Sequence, residues 1–405
     1  MAKSNGYKWE FKPRFRRHAF GWKSQPAIAR VKAAVSEIRQ VARTDATLAA
    51  GGAVLFLETV SAALEHVDSS SGAIGTAVGH AVSELAAVIA AAPADPATRA
   101  AWLERLFDAH ADDQIPYIER LADHWGELCA SKDVASAWAD RLIGITRMAL
   151  SPDKNRRGYF HGTSACLSAL LAAERYDELI DLVSGDRFWP YKRWAVRALA
   201  AQRRWTDAIE YAEACRTPST APSVDSLCEA MLLSAGRSDE AYARYALGAN
   251  RTGTYLAWFR AVTKKYPHRA PAQILADLVR YTPGDEGKWF AAAKDAGLLD
   301  EALALANCAP CDPKTLTRAA RDFAARNPSF AVGAGMAAMH WLVHGYGYEI
   351  TGADVWAAYS RTLEAAARAG DQDTTRDRIR ALVASEQQSG RFVTTILGAT
   401  LGLPP

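Results

Sequence analysis

A chain of 405 residues, 49% hydrophobic and 23% charged, can bury a large core and is too apolar to be a disordered segment. Its formal charge of +3 hides a division: residues 1–43 hold eleven Lys/Arg against Glu10 and Glu37, a balance of +9, while residues 44–150 hold six against fifteen Asp/Glu, a balance of −9. Electrostatics favours contact between two such segments, within one chain or between copies.

Alanine is heavily used and alternating Val/Ile/Thr runs are rare, which favours helices over strands. The first 22 residues nevertheless lack a helical period. In "WEFKPRFRRHAFGWK" (Trp9–Lys23) five Lys or Arg, His18 and five aromatic rings are interleaved, and Pro13 breaks any long helix. Cations Arg14, Arg16 and Arg17 beside a ring such as Trp22 suit phosphates and bases. The competing and preferred expectation is a clasp. Trp9, Phe11, Phe15, Phe20 and Trp22 pack on the first helices, and the arginines face the acidic 44–150 region.

From Gln25 onward Ile28, Val31, Val35, Ile38 and Val41 recur at helical spacing. Further helices are expected at about 45–66, 72–92, 96–110, 114–130 and 133–150. Asp68 or a neighbouring serine offers an N-cap, and Pro96 takes a first-turn position after Asp95. Ser69, Ser70, Ser71 and Gly72 precede a helix without a GxSxG elbow or a P-loop lysine, so capping is their expected use.

The second half carries a weak internal repeat. "LLAAERYDELIDLV" (170–183), "LAAQRRWTDAIEYA" (199–212), "LLSAGRSDEAYARY" (232–245) and "AAKDAGLLDEALAL" (292–305) each read as a helix end, a tight turn and an Asp-led helix. Asp177, Asp207, Asp239 and Asp300 are spaced by 30, 32 and 61 residues, the last about two periods. A helix–turn–helix period near 30 predicts an α-solenoid of the tetratricopeptide kind. The whole chain is therefore expected to be all-α. Its parts are a basic aromatic arm (1–22), an N-terminal helical domain (23–150), helix-turn-helix solenoid repeats (151–385) and a C-terminal tail (386–405).

"ALEHVDSSSGAIG" (63–75), "TPGDEGKWFAAAKDAGLLDEALALA" (282–306), "CDPKTLTRAARDFA" (311–324) and "HWLVHGYGYEITGADVWAAY" (340–359) resemble a family of uncharacterised bacterial helical-repeat proteins, a domain of unknown function. The resemblance runs from about residue 15 onward. It implies an all-helical fold in a bacterial cytoplasm and brings no activity, cofactor or catalytic residue. Related repeats stand behind SWIM-type zinc fingers, whose clustered Cys and His ligands this chain lacks.

Basic-aromatic clusters recur through the solenoid, at 155–161, 188–197, 203–205 and 258–269. Arg156, Arg157, Trp189, Lys192, Arg193, Arg203, Arg204, Lys264 and Lys265 would line one groove for an acidic peptide or a nucleic-acid backbone. Against this, Trp and Tyr pack between repeats while Lys and Arg stems run over them to water. Cys308 and Cys311 have the spacing of half a zinc site or a redox pair, but a helix–turn junction is the favoured reading. His340 and His344 share a helix face near Glu349 and Asp354, a weak metal candidate without the HExxH glutamate. Scattered cysteines and no apolar h-region after the N-terminal charges predict a reducing, cytoplasmic setting without a secretory signal. The uncharged stretch 327–348 reads as a buried helix and not a membrane span.

The function expected from these residues is a non-catalytic α-solenoid scaffold or adaptor for a protein partner, with no cofactor. The alternatives are nucleic-acid binding by the arm and solenoid groove, and a metal-dependent hydrolase at His340 and His344.

Overall fold

The computed structural model describes residues 7–153, 155, 157–387 and 390–403; every regular element among them is helical. By internal packing the chain forms two units, Met1–Thr220 and Ala221–Pro405. The first contains α1 (Ser24–Ala42), α2 (Ala46–Leu64), α3 (Ala73–Ala91), α4 (Pro96–Ala111), α5 (Trp125–Cys129), α6 (Lys132–Ala149), α7 (Thr163–Ala172), α8 (Tyr176–Ser184), α9 (Trp189–Ala201) and α10 (Trp205–Ala214).

In the second are α11 (Ala221–Ser234), α12 (Ser238–Ala241), a π-helical turn (Tyr242–Ala246) and α13 (Leu247–Ala249). They are followed by α14 (Tyr255–Lys265), α15 (Pro271–Tyr281), α16 (Phe290–Asp295), α17 (Leu299–Cys308), α18 (Pro313–Phe323), α19 (Pro328–Val343), α20 (Gly352–Ala369), α21 (Gln372–Ala384) and α22 (Phe392–Leu401).

Side-chain caps explain several of the helix starts. Asp45 accepts from Leu48 N–H, and Asp95 accepts from Ala97 and Thr98 N–H just before Pro96. Such oxygens satisfy amides that have no partner inside the helix. Thr351 and Asp354 close a capping box at α20. Between residues 66 and 72 the outcome differs from expectation. Asp68 turns to Ser70 N–H, and the residue preceding α3 is Gly72 with φ +69°.

Residues 114–130 do not make one helix. Pro116 holds Ile115 away from helical geometry, Asp113 accepts from Ile118 N–H at 2.8 Å, and a 3-10 segment (Glu119–His124) leads into α5. α2 and α3, each 19 residues long with mean hydropathies of 1.6 and 1.5, are long and apolar enough to cross a membrane by length and composition. Here they pack on α1, on each other and, for α2, on α4. α19 covers residues 328–343 of the uncharged stretch and buries Phe330, Ala334, Met339 and Leu342, whereas residues 344–348 leave the helix as a turn with Tyr348 exposed.

The arm folds onto the first unit. Trp9, Phe11, Phe15 and Phe20 are all buried in its core. Phe11 and Phe15 stand edge-on to Phe56 of α2, with centroids 5.7 and 5.0 Å away. Gly52 of α2 makes room for this, because a Cβ there would collide with the Trp9 indole. Glu37 of α1 accepts from the N–H groups of Glu10 (2.8 Å) and Phe11 (3.1 Å), fixing the backbone of the arm.

The four repeat turns have one geometry. Glu174, Arg203, Gly236 and Gly297 occupy the left-handed region, with φ of 58°, 61°, 72° and 76°. The next residue's N–H reaches back five positions each time: Arg175 to Leu170, Arg204 to Leu199, Arg237 to Leu232 and Leu298 to Ala293, at 2.8–3.0 Å. This is the Schellman ending. Helices α8, α10, α12 and α17 all begin two residues after the left-handed position.

Candidate functional site

The arm's aromatic and cationic residues separate by direction. Its rings point inward except for Tyr7 and Trp22, which are 44% and 72% exposed, while Arg14, Arg16 and Arg17 lie on the surface. The expected contact with the acidic segment occurs at Glu65, which sits 3.8 Å from Arg17 and 3.3 Å from His18. Arg14 and Arg16 have no acidic partner among the described residues.

The basic-aromatic clusters are drawn into the chain's own network. Arg156 lies outside the described residues. Arg157 pairs at 2.6 Å with Asp186, whose side chain is fully buried. Trp189 is buried at the start of α9. Lys192 donates to the Ser184 carbonyl and lies 4.6 Å from the Tyr211 ring centre. Arg193 Nη2 donates to both carboxylate oxygens of Asp123, at 2.7 and 2.6 Å.

Arg204 pairs with Asp207, and Arg203 serves as a left-handed turn residue exposed to solvent. Between α8 and α10 the surface is acidic. A cavity of about 510 Å³ there is lined by Asp177, Asp181, Asp207 and Glu210 beside Arg204. In the second unit Lys264 is exposed, whereas Lys265 is held by Glu229 at 2.7 Å.

Glu229 is the centre of a buried polar set that the sequence pattern did not mark. Its carboxylate also accepts from Asn250 Nδ2 and from the Tyr266 hydroxyl, both at 2.7 Å. Burial and this carboxylate both push the Tyr266 hydroxyl pKa upward. Three donors around an acceptor-only group make a satisfied structural network. A second unmarked set joins His110 and His161, whose ring centres are 5.9 Å apart beside Phe107. Burial holds both imidazoles below their ordinary pKa. No motif spacing links these positions, since they come from helices and turns far apart in the chain.

The weaker candidates resolve into local structure. The His340 and His344 rings lie 4.1 Å apart, tilted by 35°, and His344 Nδ1 bonds the His340 carbonyl at 2.8 Å. Asp354 is occupied by Thr351 in the capping box. No group of three or more His, Cys, Asp or Glu among the described residues is arranged to hold a metal ion. Cys308 is exposed at the end of α17, while Cys311 is buried with its thiol pushed up to about 12 by desolvation. The turn between them lies against Gly287, where a Cβ would strike the Ala309 and Pro310 carbonyls. Compared with family models, curated proteins and solved structures, the chain matches none.

Proposed function

We propose that the chain is a non-catalytic scaffold of tetratricopeptide-like helix pairs, stacked as an α-solenoid, that engages a protein partner. The observation carrying this reading is the shared turn. Four left-handed residues at intervals of 29, 33 and 61 end four helices in the same way and start the next helix at the same offset. Sequence copies that keep one backbone geometry are what stacked repeats require, because each pair must offer the same faces to its neighbours. Cysteines scattered through helical elements, with no disulfide among the described residues, support a reducing cytoplasmic setting.

A second reading is binding of nucleic acid by the arm. It is favoured by Arg14 and Arg16, exposed and without acidic partners among the described residues, and by the exposed ring of Trp22 in the same arm. One experiment separates the two: an affinity pull-down from bacterial lysate, divided between nuclease-treated and untreated halves. The scaffold reading expects a discrete protein that persists after nuclease. Eluates containing only salt-sensitive nucleic acid would replace it with the second reading, and eluates containing neither would sink both.

A further inference from the structure

We propose that the seam between α1 and α3 is a trough that receives an acidic α-helical segment of a partner protein. This rests on the protein-binding reading above and adds the place and the chemistry of the partner. The trough encloses about 810 Å³. On α1 and its C-cap residue Arg43 it takes positions 31, 32, 35, 36, 39, 40 and 43, a stripe that recurs every four residues. Twelve residues of rise make it about 18 Å long. On α3 it takes positions 77, 80, 81 and 84.

The floor consists of the short side chains Val31, Val35, Ala77 and Ala81, so a third helix can approach closely. Lys32, Arg39 and Arg43 rise along the α1 wall and are exposed. The facing wall carries His80 and one carboxylate, Glu84, which is already bonded to Arg39 at 3.1 Å. Lys32 and Arg43 have no carboxylate partner among the described residues. The three cations follow one another at intervals of seven and four residues, about 10 and 6 Å along the axis. Carboxylates at the same pitch on a partner helix would meet each in turn.

The arm leaves this flank open. It bonds Glu37 and places Phe20 beneath Arg30, and both α1 positions precede a trough residue by two. Two positions along a helix are about 160° apart around its axis, so arm and trough occupy opposite flanks of α1. Protein is favoured over nucleic acid by the lining itself. No trough residue is Phe, Tyr or Trp, and His80 is the one ring in the lining, whereas stacking platforms for bases use several rings in succession. Short apolar residues between cations suit an amphipathic helix lying in a groove.

The test is fluorescence anisotropy with three labelled probes. These are a synthetic amphipathic peptide of about four helical turns with Leu on one face and Glu on both flanks, its Glu-to-Lys counterpart, and a single-stranded oligonucleotide. Each is titrated with the full chain, with Lys32→Glu/Arg43→Glu, and with Ser36→Trp, which fills the trough without changing charge. Ser36 is exposed, so both variants should keep the parent's circular dichroism.

The expected result is salt-sensitive binding of the acidic peptide only, weakened about tenfold or more by each variant. Absence of acidic-peptide binding, or binding that both variants retain, overturns the proposal. Oligonucleotide binding lost in the same variants would overturn it in favour of a nucleic-acid trough. A lysate partner that Lys32→Glu/Arg43→Glu still captures would remove the trough and leave the scaffold reading standing. A wild-type chain that captures no protein would remove the scaffold reading itself.

Discussion

The ring of Phe15 meets the ring of Phe56 edge to face, with centroids 5.0 Å apart and an interplanar angle of 69°. Phe15 is a residue of the basic arm and Phe56 belongs to the middle of α2, so a strongly basic part of the sequence is anchored in the core. The cations lie between the anchoring rings and face water. Clasp and charged surface are thus two sides of one segment.

Removing residues 1–22 should lower the melting temperature measurably, because four buried rings leave the core with them. Phe15→Ala alone should cost about 3–5 kcal/mol in urea unfolding. Arg14→Ala/Arg16→Ala should leave the melting temperature where it was, as neither side chain is buried. Equal effects from the ring and cation variants would contradict this division.

Glu229→Ala should destabilise by about 3–5 kcal/mol, since Tyr266, Asn250 and Lys265 lose a common buried acceptor. Glu229→Gln should also destabilise, by about 1–3 kcal/mol. All three neighbours are donors, and an amide must turn its NH₂ towards at least one of them. Chemical denaturation of the two variants checks this; a neutral Gln variant would show that the carboxylate is not needed.

Acid should weaken the first unit through His110 and His161. Both have pKa values depressed below the ordinary 6.5, burial being the leading cause. The unfolded chain therefore binds protons that the folded chain refuses. Their contribution is whole above about pH 6.5 and declines as the pH falls below it. His161 Nε2 is buried without a hydrogen-bond partner among the described residues, next to Phe107 and Phe160. His161→Phe should therefore keep or raise stability at neutral pH and make the acid decline shallower. Thermal melts of both proteins between about pH 5 and 8 decide it, and parallel curves would refute it.

The repeat turns predict opposite signs for exchanges at equivalent positions. Arg203 sits at φ 61°, where an L side chain costs about 1–2 kcal/mol, offset by the extra unfolded-state freedom of a glycine. Arg203→Gly should stabilise by about 0.5–1 kcal/mol. Gly236→Ala, at φ 72°, should destabilise by about 1 kcal/mol. If both shift melting in the same direction, the two turns are not equivalent.

The repeat was legible because its signals are local. Gly236 and Gly297 announce a left-handed turn, and a helix must restart after it. The register needed the backbone: aligned on the left-handed residues, the partner of Asp177 is Thr206, and Asp207 stands one position later, bonded to Arg204. Residues 114–130 misled for a related reason. Their apolar spacing suits a helix, but the Asp113 bond to Ile118 N–H and Pro116 compete with it over the first turn.

The sequence alone determined that this protein is helical, where many of its helices begin and end, and that its N-terminal charge is opposed by an acidic segment. Those properties depend on contacts a few residues apart and on sums that folding does not change. Tertiary structure alone decided which charges remain open. Arg193 finds Asp123 seventy positions away and Lys265 finds Glu229 thirty-six away, so two cations of the expected groove are neutralised from within. Lys32 and Arg43, which carry no distinctive motif, stand unopposed on α1. An ion pair falls off with distance in space and is indifferent to distance along the chain, and only the fold sets the former.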